Sequence, residues 1–269
     1  MTKIVFKDYK NIKQSIDFLL NNENMIAVNK PAHLPVIPDR LGRYNYNLRD
    51  IVQKHLQKDD PSTRLFVVHR IDADTTGVVL LCKNEMYHKQ LNVLFEKREI
   101  GKYYLALVKG HLPEKTGTID KPILKTSKKM IIHDKGKPSQ TEYQVMEEFE
   151  NFSLLRLKPL TGRTHQLRVH LKSVGCPLIV DPLYGKSDAF NLQQIKRNYH
   201  SKKQQQPKPL SARLTLHAQK IEFGDPLSVE QISIEAPVPK DFMAVLKALR
   251  KYNVSHSRAT GAEISILKD

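Results

Sequence analysis

The feature that most constrains the fold is a polar segment, residues 69–77, set between two short apolar runs. The runs, residues 65–68 and 78–82, have the length and the β-branched content of buried strands. The segment between them contains one arginine, two aspartates and two threonines. Rigid strands that hold a charged loop are a common way to present catalytic residues. The sequence therefore predicts a functional loop at residues 69–77.

The pattern of apolar residues predicts strands and helices that alternate along the chain, with several strands following one another across short turns. This order is typical of an α+β protein with a mixed, mostly antiparallel sheet flanked by helices and loops. Strands are predicted near residues 25–29, 65–68, 78–82, 102–108, 152–160, 213–223 and 232–234, and helices after Asn47, after Asn84, after Gly162 and over residues 242–252. Residues 1–20 show no clear element.

The length of 269 residues suits a single large domain, which we predict over residues 1–269. Residues 186–209 are polar and basic, and they predict a mobile loop or an insertion in that domain. The segment 125–137 is also strongly basic. Its lysines suit phosphate binding, and they equally suit a hairpin edge that is protected from aggregation.

The net charge of +16 favours a polyanionic partner, which is most often a nucleic acid. A basic protein without such a partner is the alternative. Two cysteines are too few for a disulfide framework or a four-cysteine zinc site, and no apolar stretch has the length of a membrane span. The start of the chain lacks the apolar region of a signal peptide. We expect a cytoplasmic protein that does not associate with membranes.

Two carboxylates, Asp72 and Asp74, suggest a catalytic pair of the kind that glycosidases use. Either residue also suits a role as a turn cap. His69, His165 and His170 do not have the spacing of known metal motifs, so no metal site is predicted. The sequence contains no phosphate-binding loop, no dinucleotide-binding glycine motif and no nucleophile elbow. We therefore expect no cofactor.

Residues 69–77 also resemble the catalytic motif of the RluA-type family of RNA pseudouridine synthases. The family's usual form is HRLDxxTSG, from which Ile71 and Thr76 are mild departures. Other matches follow the family's order over residues 29–218. They are Asn29-Lys30-Pro31-Ala32 with Leu34-Pro35, Lys102-x-Tyr104-x-Ala106 with Gly110, residues 162–171 with Asp181-Pro182-Leu183-Tyr184-Gly185, and Arg213-Leu214-x-Leu216-His217-Ala218.

The resemblance implies a pseudouridine synthase fold and the isomerisation of uridine to pseudouridine in RNA, without a cofactor. It implies that Asp72 is the catalytic carboxylate, that Tyr104 packs near the base and assists proton removal from C5, and that Arg168 pairs with Asp72. Asp74 then becomes a loop cap. Because a stacked uracil is inaccessible, the enzyme is expected to flip it out of the helix. The residues implied to contact the RNA are Arg70, Thr76, Arg163, His165 and Gln166.

The chain departs from the family at His33 and Val180, where the family usually has glycine. Too few residues precede Met25 for the S4-type RNA-binding domain of many relatives, so we expect the catalytic domain alone, acting as a monomer. The expected partner is structured ribosomal RNA, with transfer RNA as the other candidate. The alternatives are an RNA-binding or ribosome-assembly protein without catalysis and a glycosidase that uses Asp72 and Asp74.

Overall fold

A computed structural model of the chain describes residues 3–8, 11–38, 44–196 and 208–254. These residues form two compact units. The first contains the described residues within Met1–Tyr103 and His217–Pro237, and the second contains those within Tyr104–Leu216 and Val238–Asp269. The single domain predicted from the sequence stays a prediction.

Strands and helices alternate along the described chain. In the first half they are β1 (Lys3–Lys7), β2 (Lys13–Asn21), β3 (Met25–Lys30), α1 (Leu48–Leu56), β4 (Phe66–Val67), β5 (Thr76–Cys82), α2 (Glu85–Lys97), β6 (Gly101–Lys109), β7 (Thr116–Asp120), β8 (Ile123–Lys125) and β9 (Met130–Ile132). In the second half they are β10 (Gln140–Glu148), β11 (Phe152–Pro159), α3 (Gln166–Ser173), a 3₁₀ turn (Leu192–Gln194), β12 (Leu216–Gly224), β13 (Gln231–Glu235) and α4 (Lys240–Tyr252).

The first unit is built on a mixed sheet. Its strands lie in the order β1, β2, β3, β5 and β12, with β4 paired to β5 and β13 paired to β12. The pairing of β5 with β12 is parallel, whereas the others are antiparallel. Every residue of β5 is buried, as expected for an apolar run at the centre of a sheet. The α+β class with a mixed, mostly antiparallel sheet is confirmed.

Helices α1 and α2 begin where the sequence predicts. The Asn47 side chain accepts a hydrogen bond from the backbone N–H of Asp50, and the Asn84 side chain accepts from those of Met86 and Tyr87. These bonds satisfy amide groups that the first turn of a helix leaves without partners. The apolar face of α2 packs through Tyr87 and Leu91 into the core of the first unit. Local capping therefore places both helices.

The second unit contains an antiparallel sheet in the order β6, β11, β10 and β7, and a separate hairpin of β8 and β9. Helix α4 buries Phe242, Val245 and Leu249 in a core that also contains Leu107 and Leu154. The amphipathic helix predicted over residues 242–252 is thus confirmed, with its start at Lys240. In the part of the chain that is described, no helix has the length and apolar character needed to cross a membrane.

Several boundaries differ from the predicted ones. Strand β1 and all but the last residue of β2 lie in residues 1–20, where no element is predicted. The buried Ile16 and Phe18 of β2 nevertheless show the alternation typical of a strand. Strand β5 starts at Thr76, so the last two residues of the polar segment belong to the sheet. In the basic segment 186–209, Phe190 is fully buried. Residues 197–207 lie outside the described residues, and the mobility of the segment stays a prediction.

Candidate active site

The loop that carries Asp72 is held by its own backbone. The N–H of Thr75 donates to the carbonyl oxygen of Asp72 at 3.1 Å, and the N–H of Leu34 donates to that of Ala73, also at 3.1 Å. The ammonium group of Lys30 donates to the same Ala73 carbonyl at 2.8 Å. Lys30 is fully buried, so its ammonium group binds the loop and is shielded from solvent. The peptide that follows Asp72 therefore has a fixed position.

Lys30 was not singled out as a functional residue in the sequence. Besides the bond to Ala73, its ammonium group donates to the carbonyl oxygen of Pro31 at 2.8 Å. A buried charge is costly unless hydrogen bonds compensate for it. The Asn29-Lys30-Pro31 motif marks the position of Lys30 in the sequence, but it does not identify the hydrogen-bond acceptor, the Ala73 carbonyl 43 positions away.

Asp74 lies beside a histidine side chain, and its expected role as a loop cap stays a prediction. Its Oδ1 atom lies 2.8 Å from Nδ1 of His33. His33 has a φ of 60°, in the left-handed region that favours glycine. The backbone conformation at this position therefore accounts for the family's usual glycine, and the histidine that replaces it here binds Asp74.

Changing His33 to glycine or alanine separates the two roles of this position. Both changes remove the pair with Asp74, but only glycine relieves the left-handed strain. We expect His33→Ala to be less stable than His33→Gly by about 1 kcal/mol. Urea denaturation of both variants measures the difference. Equal stability, or a more stable alanine variant, would show that position 33 does not adopt this conformation.

His69 begins the loop and is an internal acceptor. Its Nε2 atom accepts a hydrogen bond from the backbone N–H of Leu80 at 2.9 Å, and its ring stacks on Phe95 with centroids 5.2 Å apart. Burial lowers the pKa of His69 to about 3, and the positive charge of Lys102 contributes in the same direction. The imidazole is thus neutral at pH 7, with its proton on Nδ1. His69 positions the start of the loop on β5.

The lowered pKa of His69 predicts a loss of stability in acid. In the unfolded chain His69 binds a proton near pH 6.5, whereas in the folded chain it binds one only near pH 3. The neutral, buried histidine therefore makes its full contribution to the free energy of unfolding above pH 6.5, and this contribution declines as the pH falls below 6.5. Between pH 7 and pH 5, this histidine should lower the free energy of unfolding by about 2 kcal/mol. In His69→Gln, urea denaturation at both pH values should show a decline smaller by that amount. An identical decline in both proteins would contradict the prediction.

Thr76 and Gly77 anchor the end of the loop. Nε2 of His217 donates to the carbonyl oxygen of Ala236 at 3.2 Å, and Nδ1 of the same ring forms a hydrogen bond with the Thr76 hydroxyl at 2.9 Å. Gly77 has a φ of 117°, and a Cβ there would lie 2.0 Å from the backbone oxygen of Ala218. Only glycine permits this approach of β12. The contact of Thr76 with substrate stays a prediction.

In the second unit, Arg168 on α3 forms a buried ion pair with Asp181. Nε and Nη2 of the guanidinium lie 2.8 Å from the two carboxylate oxygens, and the side chains are 6% and 1% exposed. Asp181 also accepts hydrogen bonds from the N–H groups of Leu183 and Tyr184 at 3.0 Å. This geometry fixes the plane of the guanidinium. The pairing of Arg168 with Asp72 stays a prediction.

Helix α3 is buried around most of its circumference, although Arg168 and His170 lie off its predicted apolar stripe. His170 is fully buried and uses both ring nitrogens, at 2.9 Å from the hydroxyl of Thr141 and 3.0 Å from the carbonyl oxygen of Lys121. Burial lowers the pKa of His170, which favours its neutral form. The polar residues of this helix therefore bind internal partners.

The predicted RNA contacts near α3 divide into two kinds. Gln166 is buried at the start of α3. Its Oε1 atom accepts hydrogen bonds from the Thr161 hydroxyl and the N–H of Arg163, and its Nε2 atom donates to the carbonyl oxygen of Gln140 and the hydroxyl of Thr141. Gln166 therefore connects the start of the helix to β10. Arg163 and His165 keep part of their surface exposed. The role of each in binding RNA stays a prediction.

Tyr104 and Arg70 complete the predicted set. Tyr104 is 9% exposed and lies on β6, where it pairs with Leu157 of β11. Arg70 is exposed within the loop that carries Asp72. Arg70 and Asp72 thus lie in one loop of the first unit, and Thr76 is the first residue of the strand that follows this loop. Among the described residues, no group of His, Cys, Asp and Glu side chains is arranged to hold a metal ion.

Comparison with known proteins identifies the class. Residues 24–173 match the family described as RNA pseudouridylate synthase. The chain is 34% identical over 252 residues to the ribosomal large subunit pseudouridine synthase D of Nitrosomonas europaea, an alignment that covers 90% of this chain and 67% of that protein. The chain therefore belongs to the RNA pseudouridylate synthase family. It is an isomerase that converts uridine in RNA to pseudouridine.

Other similar proteins agree with this assignment. The chain is 33% identical to the uncharacterized RNA pseudouridine synthase YlyB of Bacillus subtilis, with 88% of this chain and 73% of that protein aligned. Among solved structures, the human RNA pseudouridylate synthase domain containing 4 has a TM-score of 0.67 at 24% identity, and covers 87% of this chain and 92% of its own. That likeness shows the shared fold.

Proposed function

We propose that this enzyme modifies uridines of the large-subunit ribosomal RNA. One observation carries the choice of RNA: similar proteins from Nitrosomonas europaea, Haemophilus influenzae and Zymomonas mobilis, at 31–34% identity, are named ribosomal large subunit pseudouridine synthase D. The net charge of +16 suits a large polyanionic substrate. Transfer RNA remains the second candidate, and a cytoplasmic, monomeric enzyme stays a prediction.

The proposed reaction is a rearrangement without any added reactant. The bond between N1 of uracil and C1′ of ribose breaks, the uracil turns within the site, and C5 bonds to C1′. The proton of C5 leaves and N1 gains one, so the atoms balance. Asp72 drives these steps, either by attacking the sugar or by assisting formation of a glycal. Its anchored loop supports the role, because a catalytic group must hold its geometry within a fraction of an ångström.

The other residues have supporting roles in this proposal. The uracil leaves the helix at a cost of a few kcal/mol and packs against Tyr104, which assists removal of the C5 proton. Arg70, exposed beside Asp72, fills the space that the base leaves in the stack. Arg168 orients the carboxylate of Asp72. Thr76, Arg163, His165 and Gln166 complete the binding surface, directly or by holding the loops that contact the RNA.

The experiment is to map pseudouridines in all cellular RNAs by carbodiimide modification and sequencing, with and without the gene. The expected result is the loss of one or a few sites in large-subunit ribosomal RNA and their return when the wild-type gene is restored. Loss confined to transfer RNA would overturn the choice of substrate. An unchanged set of pseudouridines would overturn the proposed function as a whole.

A further inference from the structure

A basic hairpin in the second unit takes no part in the proposed reaction. We define the lysine hairpin as residues 121–137, which contain β8 and β9. It has six lysines and one aspartate. The exposed lysines are Lys125, Lys128, Lys129, Lys135 and Lys137. None of these five pairs with an acid in the part of the chain that the structure describes. The hairpin therefore presents concentrated, uncompensated positive charge.

The turn of the hairpin is well ordered by its own hydrogen bonds. The Thr126 hydroxyl oxygen accepts from the N–H groups of Lys128 and Lys129, and its hydroxyl donates to the carbonyl oxygen of Lys129 at 2.7 Å. A second turn brings Lys137 back to β8, where it exchanges two backbone hydrogen bonds with Ile123 at 2.9 Å. The lysine backbones therefore hold defined positions.

The lysine hairpin is docked on the helix that carries Arg168. Ile123 packs with Val169 of α3 and with Tyr184 in one apolar cluster. The N–H of Met130 donates to the Tyr184 hydroxyl at 3.1 Å, and that hydroxyl lies 3.0 Å from Nδ1 of His165. The Tyr184 ring lies 5.0 Å from the guanidinium carbon of Arg168. One tyrosine thus contacts the hairpin, the start of α3 and the arginine.

At the other end of the hairpin, Lys121 is tied to the same helix. Its ammonium group donates to the carbonyl oxygen of Ser173 at 3.1 Å, and its carbonyl oxygen lies 3.0 Å from Nε2 of His170. Both ends of α3 therefore hold the lysine hairpin. Because these hydrogen bonds and the apolar cluster attach the lysine hairpin to α3, its position relative to Arg168 is fixed.

We infer that the lysine hairpin is a docking surface for the phosphate backbone of the substrate RNA. The inference rests on the function assigned above and names how the enzyme holds its substrate. Protection of a sheet edge explains the charge less well, since β8 and β9 have three residues each and short edges recruit other strands poorly. Phosphate contacts position a nucleic acid without reading its sequence.

The test measures RNA binding against salt concentration. The probe is an unmodified transcript of large-subunit ribosomal RNA, and every protein carries Asp72→Asn so that no turnover occurs. The hairpin variant carries Lys125→Ala, Lys128→Ala and Lys129→Ala. The control carries Lys240→Ala, Lys247→Ala and Lys251→Ala, which remove the same charge from exposed positions of α4. Thermal unfolding confirms that both variants fold.

Each phosphate contact contributes about 0.7–0.9 to the magnitude of the slope of log affinity against log salt concentration. Loss of three lysine contacts should therefore make the slope of the hairpin variant shallower by about 2–3. The control slope should change by much less. In an Asp72 background, the hairpin changes should raise the KM for pseudouridine formation at least tenfold while kcat stays within twofold. An unchanged slope, or an equal change in the control, would overturn the inference.

The two proposals fail in different ways. If wild-type protein forms no pseudouridine in any RNA, the proposed function fails, and the binding slopes still decide the role of the lysine hairpin. If wild-type protein is active but the hairpin variant keeps its slope and KM, only the docking surface fails. A hairpin variant that binds RNA normally and aggregates would identify the lysines as edge protection and would also overturn the inference.

Discussion

Replacing Asp72 with asparagine should reduce the rate of pseudouridine formation by roughly a thousandfold or more, the scale observed when an enzyme loses its reacting group. Asparagine has nearly the same shape but no negative charge, so it neither attacks the sugar nor assists glycal formation. The loop is held through the backbone of Ala73 and Thr75 and through Lys30, none of which the change removes. Stability should therefore stay within about 1 kcal/mol of wild type. Carbodiimide mapping of a transcript measures the rate.

Asp74→Asn is the matched control, because it removes the other carboxylate of the same loop. Its Oδ1 atom contacts His33, and we expect less than a tenfold loss of rate. A wild-type rate in Asp72→Asn would show that Asp72 is not the catalytic carboxylate. A severe loss in Asp74→Asn together with release of free uracil would instead favour the glycosidase alternative.

Replacing Asp181 with alanine should lower the free energy of unfolding by about 3–5 kcal/mol. The change removes both hydrogen bonds to the Arg168 guanidinium and leaves a charge that is 6% exposed without this partner. It also leaves the N–H groups of Leu183 and Tyr184 without their acceptor. Urea denaturation measures the effect. The rate of pseudouridine formation should fall as well, because the guanidinium loses its fixed plane.

Two controls separate the ion pair from general damage. Asp134→Ala removes an exposed acid of the same unit and should change stability by less than about 0.5 kcal/mol. The double change Arg168→Met with Asp181→Leu replaces the pair by apolar groups, and should recover much of the stability while activity stays low. A loss below 1 kcal/mol in Asp181→Ala, or full activity in the double variant, would contradict these roles.

Much of the local structure was predictable because its causes lie within a few residues. The asparagine caps of α1 and α2 bond amide groups two or three positions away, so the residues that specify each helix start are adjacent in sequence. The apolar stripe of α4 is likewise a local pattern. Strand β1 is a short edge strand, and polar residues interrupt the alternation of both β1 and β2, so the sequence pattern predicts neither.

By itself, the sequence determined the α+β class, the loop that carries Asp72 and the family to which the chain belongs. The tertiary structure alone decided what holds that loop: Lys30 on the Ala73 carbonyl, His33 on Asp74 and His217 on Thr76, from positions 41 to 141 residues away. It also gave Arg168 the partner Asp181 and docked the lysine hairpin on α3. The physical reason is that caps and periodicity are local interactions, whereas the partner of a buried charge depends on which distant strands and helices the core packs beside it.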